Sequence, residues 1–284
     1  MRKRTKILGA VVIGILVLGW AGKSFEERRK PAIGILEVVG GIMSADESLE
    51  TIKAYEEDDN IKAVVVRIDS PGGVVGPAQE IYQRLLKLKG KKPVVASMSA
   101  VGASGAYYVA CAADSIYALP GTLTGSIGVL MEFLDVSEGI GKLGIKAGSI
   151  TSGTLKDAGT PFRPMTEQER AYFQDVINDT HAQFVEVVAK GRHMPLARAR
   201  QLASGRVYTG RQAQQLGLID RLGGFDMALD EAQRRVGIPG EPRLVWPAKP
   251  SRFDALIERL LDTFSPLSGW SGATIRTVRL EYRM

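Results

Sequence analysis

The sequence predicts an α/β fold with a mainly parallel β-sheet. Apolar runs rich in β-branched residues alternate with amphipathic helical patterns, and two of these runs end in glycine turns. The order strand, helix, strand, helix, strand indicates parallel pairing through right-handed crossovers. With 284 residues and 45% hydrophobic content, the chain is long enough to bury a large core.

The elements that predict this sheet lie in the first half of the chain. Strands are expected at residues 33–39, 61–68, 94–98 and 115–119. Helices are expected at 46–55, at 76–90 and from the turn at 102–105 through Cys111. Glycine turns at 72–73 and 102–105 follow two of the parallel strands. We therefore expect both turns at the carboxyl edge of the sheet, where ligands bind in such folds.

The second half of the chain is predicted to be mostly helical. Two short strands are expected at 129–133 and 146–150, before a loop at 151–163. Thr166 and Glu169 fit a capping box that begins a long helix. Shorter helices are expected at 196–202, 210–216 and 225–236. We expect one compact domain over residues 31–248, since no internal repeat interrupts the pattern.

Residues 249–284 are predicted to form a distinct amphipathic tail. Apolar residues recur at helical spacing over 253–264 and alternate with charged residues over 278–284, as in a strand. We expect the tail to contact the fold or a second subunit. Attachment to a membrane surface is the alternative.

Residues 1–30 are predicted to be a membrane anchor with its linker. Residues 7–22 form an uncharged apolar run of 16 residues, close to the roughly 17–20 that span a bilayer. A small-x-small pattern at Gly19-Trp20-Ala21 keeps a cleaved secretory signal as the alternative. Residues 1–30 hold eight basic and two acidic residues, and the rest of the chain holds 29 of each sign. The net charge of +6 therefore belongs to this segment and does not indicate nucleic-acid binding.

Ser104 is a candidate nucleophile because it lies among small residues at a predicted strand-to-helix turn. Gly102 and Gly105 leave space for a substrate, and the first N–H groups of the following helix can stabilise an anion. Close packing of helix and strand is the alternative. No cofactor and no metal are expected. The chain has two histidines and one cysteine, and it lacks the glycine motifs that bind dinucleotides or phosphates.

If the serine is a nucleophile, its general base is expected to be a lysine. His181 lies on the apolar stripe of the long helix and His193 lies in a basic turn, so neither is expected to act as a base. An amine accepts a proton only when it is uncharged, which requires burial or a neighbouring positive field. Lys142, Lys146 and Lys156 all follow the serine, and periodicity does not choose among them.

Five motifs stand in order along the chain. They are Arg67-Ile-Asp-Ser-Pro-Gly-Gly73, Ala103-Ser-Gly-Ala-Tyr-Tyr108, Thr124-Gly-Ser-Ile-Gly-Val129, Ser152-Gly-Thr-Leu-Lys-Asp157 and Gly205-Arg-Val-Tyr-Thr-Gly210. Together they resemble the bacterial signal peptide peptidase A family in its short, single-repeat form. The resemblance implies a membrane-bound Ser/Lys protease with a Clp protease/crotonase-like fold of repeated ββα units.

The resemblance also implies roles for five residues. Ser104 matches the nucleophile, Lys156 the general base, and Ser126 the serine that orients the lysine. The backbone N–H groups of Gly73 and Gly105 match the oxyanion hole, which stabilises the negative charge of the tetrahedral intermediate. The implied reaction is peptide hydrolysis through an acyl-enzyme, with no metal.

The resemblance further implies where and on what the enzyme acts. Substrates would be apolar peptides at the membrane, chiefly remnant signal peptides. The protein would be a ring-like homo-oligomer in which adjacent subunits can supply the serine and the lysine of one site. It would cross the inner membrane once, with its catalytic domain outside the cytoplasm.

One departure from the family and three alternative functions stay open at this point. The family usually has glycine where this chain has Ala106, which adds one methyl group beside the pocket. A Ser/Lys protease that cuts a specific membrane protein would have almost the same sequence. A crotonase-type acyl-CoA enzyme would use the paired backbone donors without the serine and lysine. A membrane scaffold without activity is the third alternative.

Overall fold

The computed structural model describes residues 30–247 together with the backbone of Glu281 and Tyr282. Its helices are α1 (Asp46–Glu57), α2 (Val75–Lys89), α3 (Gly105–Ala110), α4 (Ser137–Lys142), α5 (Glu167–Gly191), α6 (Leu196–Leu202), α7 (Gly210–Gln215) and α8 (Phe225–Val236). Its strands are β1 (Ala32–Val39), β2 (Ile61–Ser70), β3 (Gly73–Val74), β4 (Val94–Ala103), β5 (Ser115–Ala118), β6 (Leu123–Gly125), β7 (Val207–Thr209), β8 (Arg221–Leu222), β9 (Arg243–Val245) and β10 (Glu281–Tyr282).

The main sheet is mostly parallel, as the order of the elements predicts. Its strands follow the order β7-β6-β4-β2-β1-β9, with β5 paired to β4 and β8 paired to β5. The pairs β1–β2, β2–β4, β4–β5 and β4–β6 are parallel, whereas β6–β7 is antiparallel. The prediction of an α/β fold with a mainly parallel sheet is therefore confirmed.

Helices cover both faces of the sheet because successive strand residues point to opposite sides. On β1 and β2, Leu36 and Val66 belong to the core that also holds α1, α2, α3 and α5. Their neighbours Ile35 and Val65 pack on the other face against α8, which contributes Ala228 and Ala232. This alternation makes the central strands apolar on both sides, as the β-branched runs predict.

The two strands expected at 129–133 and 146–150 are wrong. Neither segment forms a named strand, and α4 (Ser137–Lys142) lies between them. Residues 141–150 are all exposed. A strand needs a neighbour to pair its backbone groups, and none of the described strands pairs with residues 141–150. The apolar residues of 141–150 are therefore not buried by the described part of the chain.

The structure tests the terminal predictions only in part. The apolar run at 7–22 and the helical stripe at 253–264 lie outside the described residues. Within the part of the chain that is described, no helix is long and apolar enough to cross a membrane. The strand expected over 278–284 is confirmed for Glu281 and Tyr282, which form β10 and pair antiparallel with β3.

Candidate active site

The two predicted glycine turns lie side by side at the carboxyl edge of the sheet. Ser70 at the end of β2 pairs with Gly102 near the end of β4. The backbone N–H of Val101 donates to Asp69 Oδ1 at 3.1 Å, which ties the two strand ends together. Because α3 also packs against β3, the turns after β2 and β4 lie close together. This edge is the candidate site.

The backbone of Ser104 is held in a conformation that L-residues rarely adopt. Its φ is 54° and its ψ is −122° at the junction of β4 and α3. The N–H of Ser104 donates to the carbonyl oxygen of Gly125 at 2.8 Å, and its own carbonyl accepts from the N–H of Tyr108 at 2.9 Å. Such a conformation costs about 1–3 kcal/mol and persists only where surrounding structure enforces it. The predicted strand-to-helix turn is therefore present, and it is strained.

The hydroxyl group of Ser104 is buried without a hydrogen bond. The residue is 0% exposed, and its Oγ has no partner among the described residues. Nearly all buried polar atoms in proteins are hydrogen-bonded, so an unpaired one calls for an explanation. Strain and a missing partner on the same residue are typical of a reactive side chain that has a use other than packing.

Neighbouring side chains enforce the turn that precedes Ser104. A Cβ on Gly102 would lie 2.3 Å from Met98 Sδ, so only glycine fits there without rearrangement. Thr124 Oγ1 donates to the carbonyl oxygen of Gly102 at 2.7 Å. Strand β6 thus fixes the peptide two residues ahead of the serine.

Gly73 lies where the second predicted oxyanion donor is expected. It forms a parallel bridge with Ile42, and a Cβ on Gly73 would lie 2.3 Å from the carbonyl oxygen of Ile42. Strand β10 runs antiparallel along β3, with Tyr282 opposite Gly73. Gly105 begins α3 and is buried. The structure therefore places both predicted oxyanion residues at the edge that carries Ser104.

Ser126 lies next to the serine turn through strand pairing. Ala103 and Gly125 are partners in the β4–β6 pair, so the residues that follow them are neighbours. Ser126 is 4% exposed, has a φ of 50°, and donates its N–H to the carbonyl oxygen of Arg206 at 2.8 Å. Two serines with positive φ angles thus share one buried corner of the site.

Lys156 is not brought into this corner within the chain. It is exposed in the loop before α5, and its Nζ does not hydrogen-bond Ser104 Oγ, which has no partner in the described part of the chain. The structure thus gathers four of the five predicted site residues and leaves the predicted base on a separate segment.

Sequence reasoning missed Arg163, which links the lysine loop to α5. Its guanidinium hydrogen-bonds both Asp157 and Glu169. The hydrogen bonds from Arg163, with those from Thr166, lower the pKa of Glu169 to about 2. The Ser149 hydroxyl, and secondly Arg163, lower the pKa of Asp157. No sequence pattern predicts these contacts of Arg163, because a loop has no periodicity from which side-chain neighbours can be inferred.

The remaining candidate residues have structural surroundings. His181 Nε2 lies 2.9 Å from the carbonyl oxygen of Ala203. Burial raises the pKa of the Cys111 thiol to about 12, so the cysteine is an inert packing residue. Ala106 is fully buried among core side chains, so its methyl group contributes to packing. No cluster of three metal-binding side chains occurs among the described residues.

Known proteins are similar to this chain across the region that holds the site. The model of "Peptidase family S49" matches residues 87–238. A protein of Methanocaldococcus jannaschii with the provisional name of a protease is 38% identical over 190 residues, which cover 67% of this chain and 61% of that protein. A Synechocystis protein with the same kind of name is 38% identical over 216 residues, covering 75% of this chain and 78% of its own length.

A third relative carries the family name that the motifs point to. It is an Enterococcus faecium protein with the provisional name signal peptide peptidase SppA, 36% identical over 187 residues. The match covers 66% of this chain and 54% of that protein, so part of the relative's length has no counterpart here. The resemblance drawn from the five motifs is confirmed. The chain belongs to peptidase family S49.

Proposed function

We propose that this protein is a serine endopeptidase in which Ser104 is the nucleophile and Lys156 the general base. The observation that carries the proposal is the strained turn at Ser104, where the buried Oγ has no hydrogen-bond partner among residues 30–247. Folding gains nothing from such a hydroxyl, whereas the Oγ of a nucleophile must be free to reach a general base and a substrate. Membership of a peptidase family supports a peptide bond as the target.

We also infer that the fold is of the Clp protease and crotonase type. The succession β2, β3, α2 supports this, since it forms one strand-strand-helix unit whose second strand leaves the main sheet. In this arrangement the backbone N–H groups of Gly73 and Gly105 would face one oxyanion. The tight contact between Gly73 and Ile42 supports a fixed position for the first of these donors.

The proposed reaction proceeds in two steps. The neutral amine of Lys156 takes the proton from Ser104 Oγ, and Oγ attacks the carbonyl carbon of the scissile bond. The N–H groups of Gly73 and Gly105 stabilise the oxyanion, and the protonated lysine gives its proton to the leaving amine. A water molecule, deprotonated by the same lysine, then attacks the acyl-enzyme. This releases the carboxyl product and restores Ser104.

We infer that Lys156 completes the active site of a neighbouring subunit in a homo-oligomer. Its exposure supports this, since its own chain leaves the side chain accessible to another subunit. Large apolar side chains on the same segment are also exposed: Leu134, Leu143, Ile145, Ile150 and Phe162. Such a cluster is typical of a surface that another protein covers. Burial in that interface would favour the uncharged amine that a general base requires.

We further propose that the protein is anchored in the inner membrane by residues 7–22, with its catalytic domain outside the cytoplasm. Its substrates would be apolar peptides such as remnant signal peptides. The pairing of β10 with β3 supports an extended binding mode, because it places an antiparallel strand along the edge that holds Gly73. A peptide substrate bound in this way would run past Ser104.

Hydrolysis of a fluorogenic signal-peptide mimic by the full chain in detergent micelles tests the proposal. Ser104→Ala and Lys156→Ala should each lower kcat by about 10²–10⁴-fold. Lys142→Ala and Lys146→Ala are the matched controls and should keep wild-type turnover. Full activity of Ser104→Ala would exclude a serine protease. Near wild-type turnover of Lys156→Ala would exclude the dyad.

Two further measurements test the subunit arrangement and the substrate. Co-expressed Ser104→Ala and Lys156→Ala subunits should regain about a quarter of the active sites if adjacent subunits share each site. In a ring assembled at random from equal amounts of the two variants, about half of the sites have an intact serine, and about half of those have an intact lysine from the neighbour. No recovery would place serine and lysine on one chain. Profiling cleavage of signal-peptide mimics against intact membrane proteins would separate the two protease alternatives.

A further inference from the structure

We propose that Arg163 is a positioning residue for Lys156 and acts through Asp157. The inference rests on the proposed function, since it concerns the lysine of the proposed dyad. Asp157 directly follows Lys156 in the chain, and Arg163 Nη2 donates to Asp157 Oδ1 at 3.0 Å. A restraint on Asp157 is therefore a restraint on the backbone that carries the lysine.

The other side of Arg163 is fixed to a rigid part of the fold. Its Nη1 and Nη2 donate to Glu169 Oε2 at 2.9 Å and to Oε1 at 2.5 Å. Glu169 is 2% exposed and completes the capping box of α5, accepting from the N–H of Thr166 at 2.9 Å. Helix α5 is 25 residues long and buries Phe173 and Phe184 in the core. Glu169 is thus a fixed point from which Arg163 reaches the loop.

The loop around Lys156 has few other restraints of its own. Residues 150–154 are exposed, and the backbone N–H of Lys156 donates only locally, to the carbonyl oxygen of Gly153 at 3.1 Å. Ser149 donates to Asp157 Oδ2 at 2.7 Å, so Asp157 is held from two sides. Asp157 is therefore where side-chain contacts hold the backbone next to the lysine.

Arginine suits this role because its planar fork can hold two carboxylates in fixed directions. A lysine side chain is flexible, so the precision of a lysine base depends on where its backbone is held. A displacement of about 1 Å at a reacting group can cost about 10²-fold in rate. The bridge from Glu169 through Arg163 to Asp157 would set the distance that Lys156 must cover to reach a serine.

Kinetics of the full chain with the same peptide substrate test this inference. Arg163→Gln and Asp157→Asn should each lower kcat by about 10–100-fold with little change in KM. The double variant should lose no more kcat than the less active of the two single variants, because both changes break the same bridge. Arg163→Lys, which keeps the charge but not the fork, should recover part of kcat.

Two comparisons distinguish positioning from general stabilisation. Thr166→Val removes a hydrogen bond of the same helix cap without touching Arg163, so it should lower stability while kcat is retained. In a Lys156→Ala background, Arg163→Gln should cause no further loss of the residual rate. An equal loss with and without the lysine would assign Arg163 a purely structural role and overturn the inference.

Asp157→Asn provides the decisive variant if Arg163→Gln does not fold, because it leaves Glu169 and the helix cap intact. Unchanged kcat in Asp157→Asn would overturn the inference. If Lys156→Ala is inactive while Asp157→Asn and Arg163→Gln keep wild-type kcat, the positioning role of Arg163 is overturned and the proposed function stands. Near wild-type turnover of Lys156→Ala would overturn both.

Discussion

The backbone N–H of Ser104 donates a 2.8 Å hydrogen bond to the carbonyl oxygen of Gly125. This bond links the turn of the proposed nucleophile to the residue before Ser126. Both serines have positive φ angles, of 54° and 50°. Neither conformation is favourable alone, so the pairing of β4 with β6 maintains both. The conformations of Ser104 and Ser126 therefore depend on the pairing of β4 with β6, two strands that are separated in sequence.

Thr124→Val tests how far β6 supports the serine turn. The substitution keeps the shape of the buried side chain but removes the hydrogen bond to the carbonyl oxygen of Gly102. We expect the free energy of unfolding to fall by about 1–3 kcal/mol and kcat to fall by about 10-fold or more as the turn shifts. The measurements are chemical denaturation and peptide hydrolysis.

Thr180→Val is the matched control for this prediction. Its buried hydroxyl donates to the carbonyl oxygen of Val176 within α5, away from the sheet edge. It should change stability modestly and leave kcat unchanged. Equal kcat values for the two valine variants would mean that the Thr124 hydroxyl has no part in setting the turn.

Ser104→Ala should make the protein more stable while it lowers kcat. The substitution removes a buried hydroxyl that has no partner among the described residues, and an unsatisfied buried group costs about 1–3 kcal/mol. An increase of about 1 kcal/mol should raise Tm by about 2–4 °C in a domain of this size. Ser70→Ala should do the opposite, because Ser70 Oγ accepts from the N–H of Gly72 at 3.1 Å. A lower Tm for Ser104→Ala would show that its hydroxyl is satisfied in solution.

The sequence was sufficient for those parts of the fold that depend on local patterns. Runs rich in β-branched residues predicted β1, β2 and β4, a short apolar run predicted β5, and helix signals predicted the capping box at Thr166. Burial on both faces makes these patterns strong. The turn at Ser104 was also predictable from a local pattern. Small residues between an apolar run and a helix favour a tight turn.

Other features could not be predicted because they depend on partners distant in sequence. The segment at 146–150 has strand-like composition, but its apolar side chains are exposed on a loop. Periodicity gave no choice among Lys142, Lys146 and Lys156, since Lys142 ends the short helix α4 and the other two lie in irregular chain before the long helix. The bridge from Arg163 to Asp157 joins side chains whose approach is set by the loop between them.

Gly73→Ala should damage the proposed oxyanion hole. The new Cβ would lie 2.3 Å from the carbonyl oxygen of Ile42 and 2.6 Å from its nitrogen, and backbone atoms cannot move aside cheaply. We expect a loss of about 1–3 kcal/mol in stability and of about 10²-fold in kcat. Gly76→Ala is the control, since open space surrounds that position in α2. It should raise stability by about 0.5–1 kcal/mol and keep kcat. Equal effects of the two substitutions on kcat would contradict the role of Gly73.

The contribution of Glu169 to stability should depend on pH only in the acidic range. Its pKa is about 2 in the folded protein, against an ordinary value of 4.5, chiefly because Arg163 hydrogen-bonds the carboxylate. The folded state therefore binds fewer protons than the unfolded chain between these values. By linkage, the stabilisation is complete above about pH 5 and is lost as pH falls through 4.5 toward 2.

Thermal unfolding of wild type and Glu169→Gln between pH 7 and pH 2.5 measures this dependence. The difference in Tm should stay constant from pH 7 to about pH 5 and then shrink with increasing acidity, because the wild-type carboxylate becomes protonated. Glu167→Gln, exposed in the same first turn of α5, should give a small difference at every pH. If the difference in Tm between wild type and Glu169→Gln already shrinks between pH 7 and pH 5, Arg163 does not hold the Glu169 carboxylate ionised. Glu169 would then not be the fixed point of the bridge to the lysine loop.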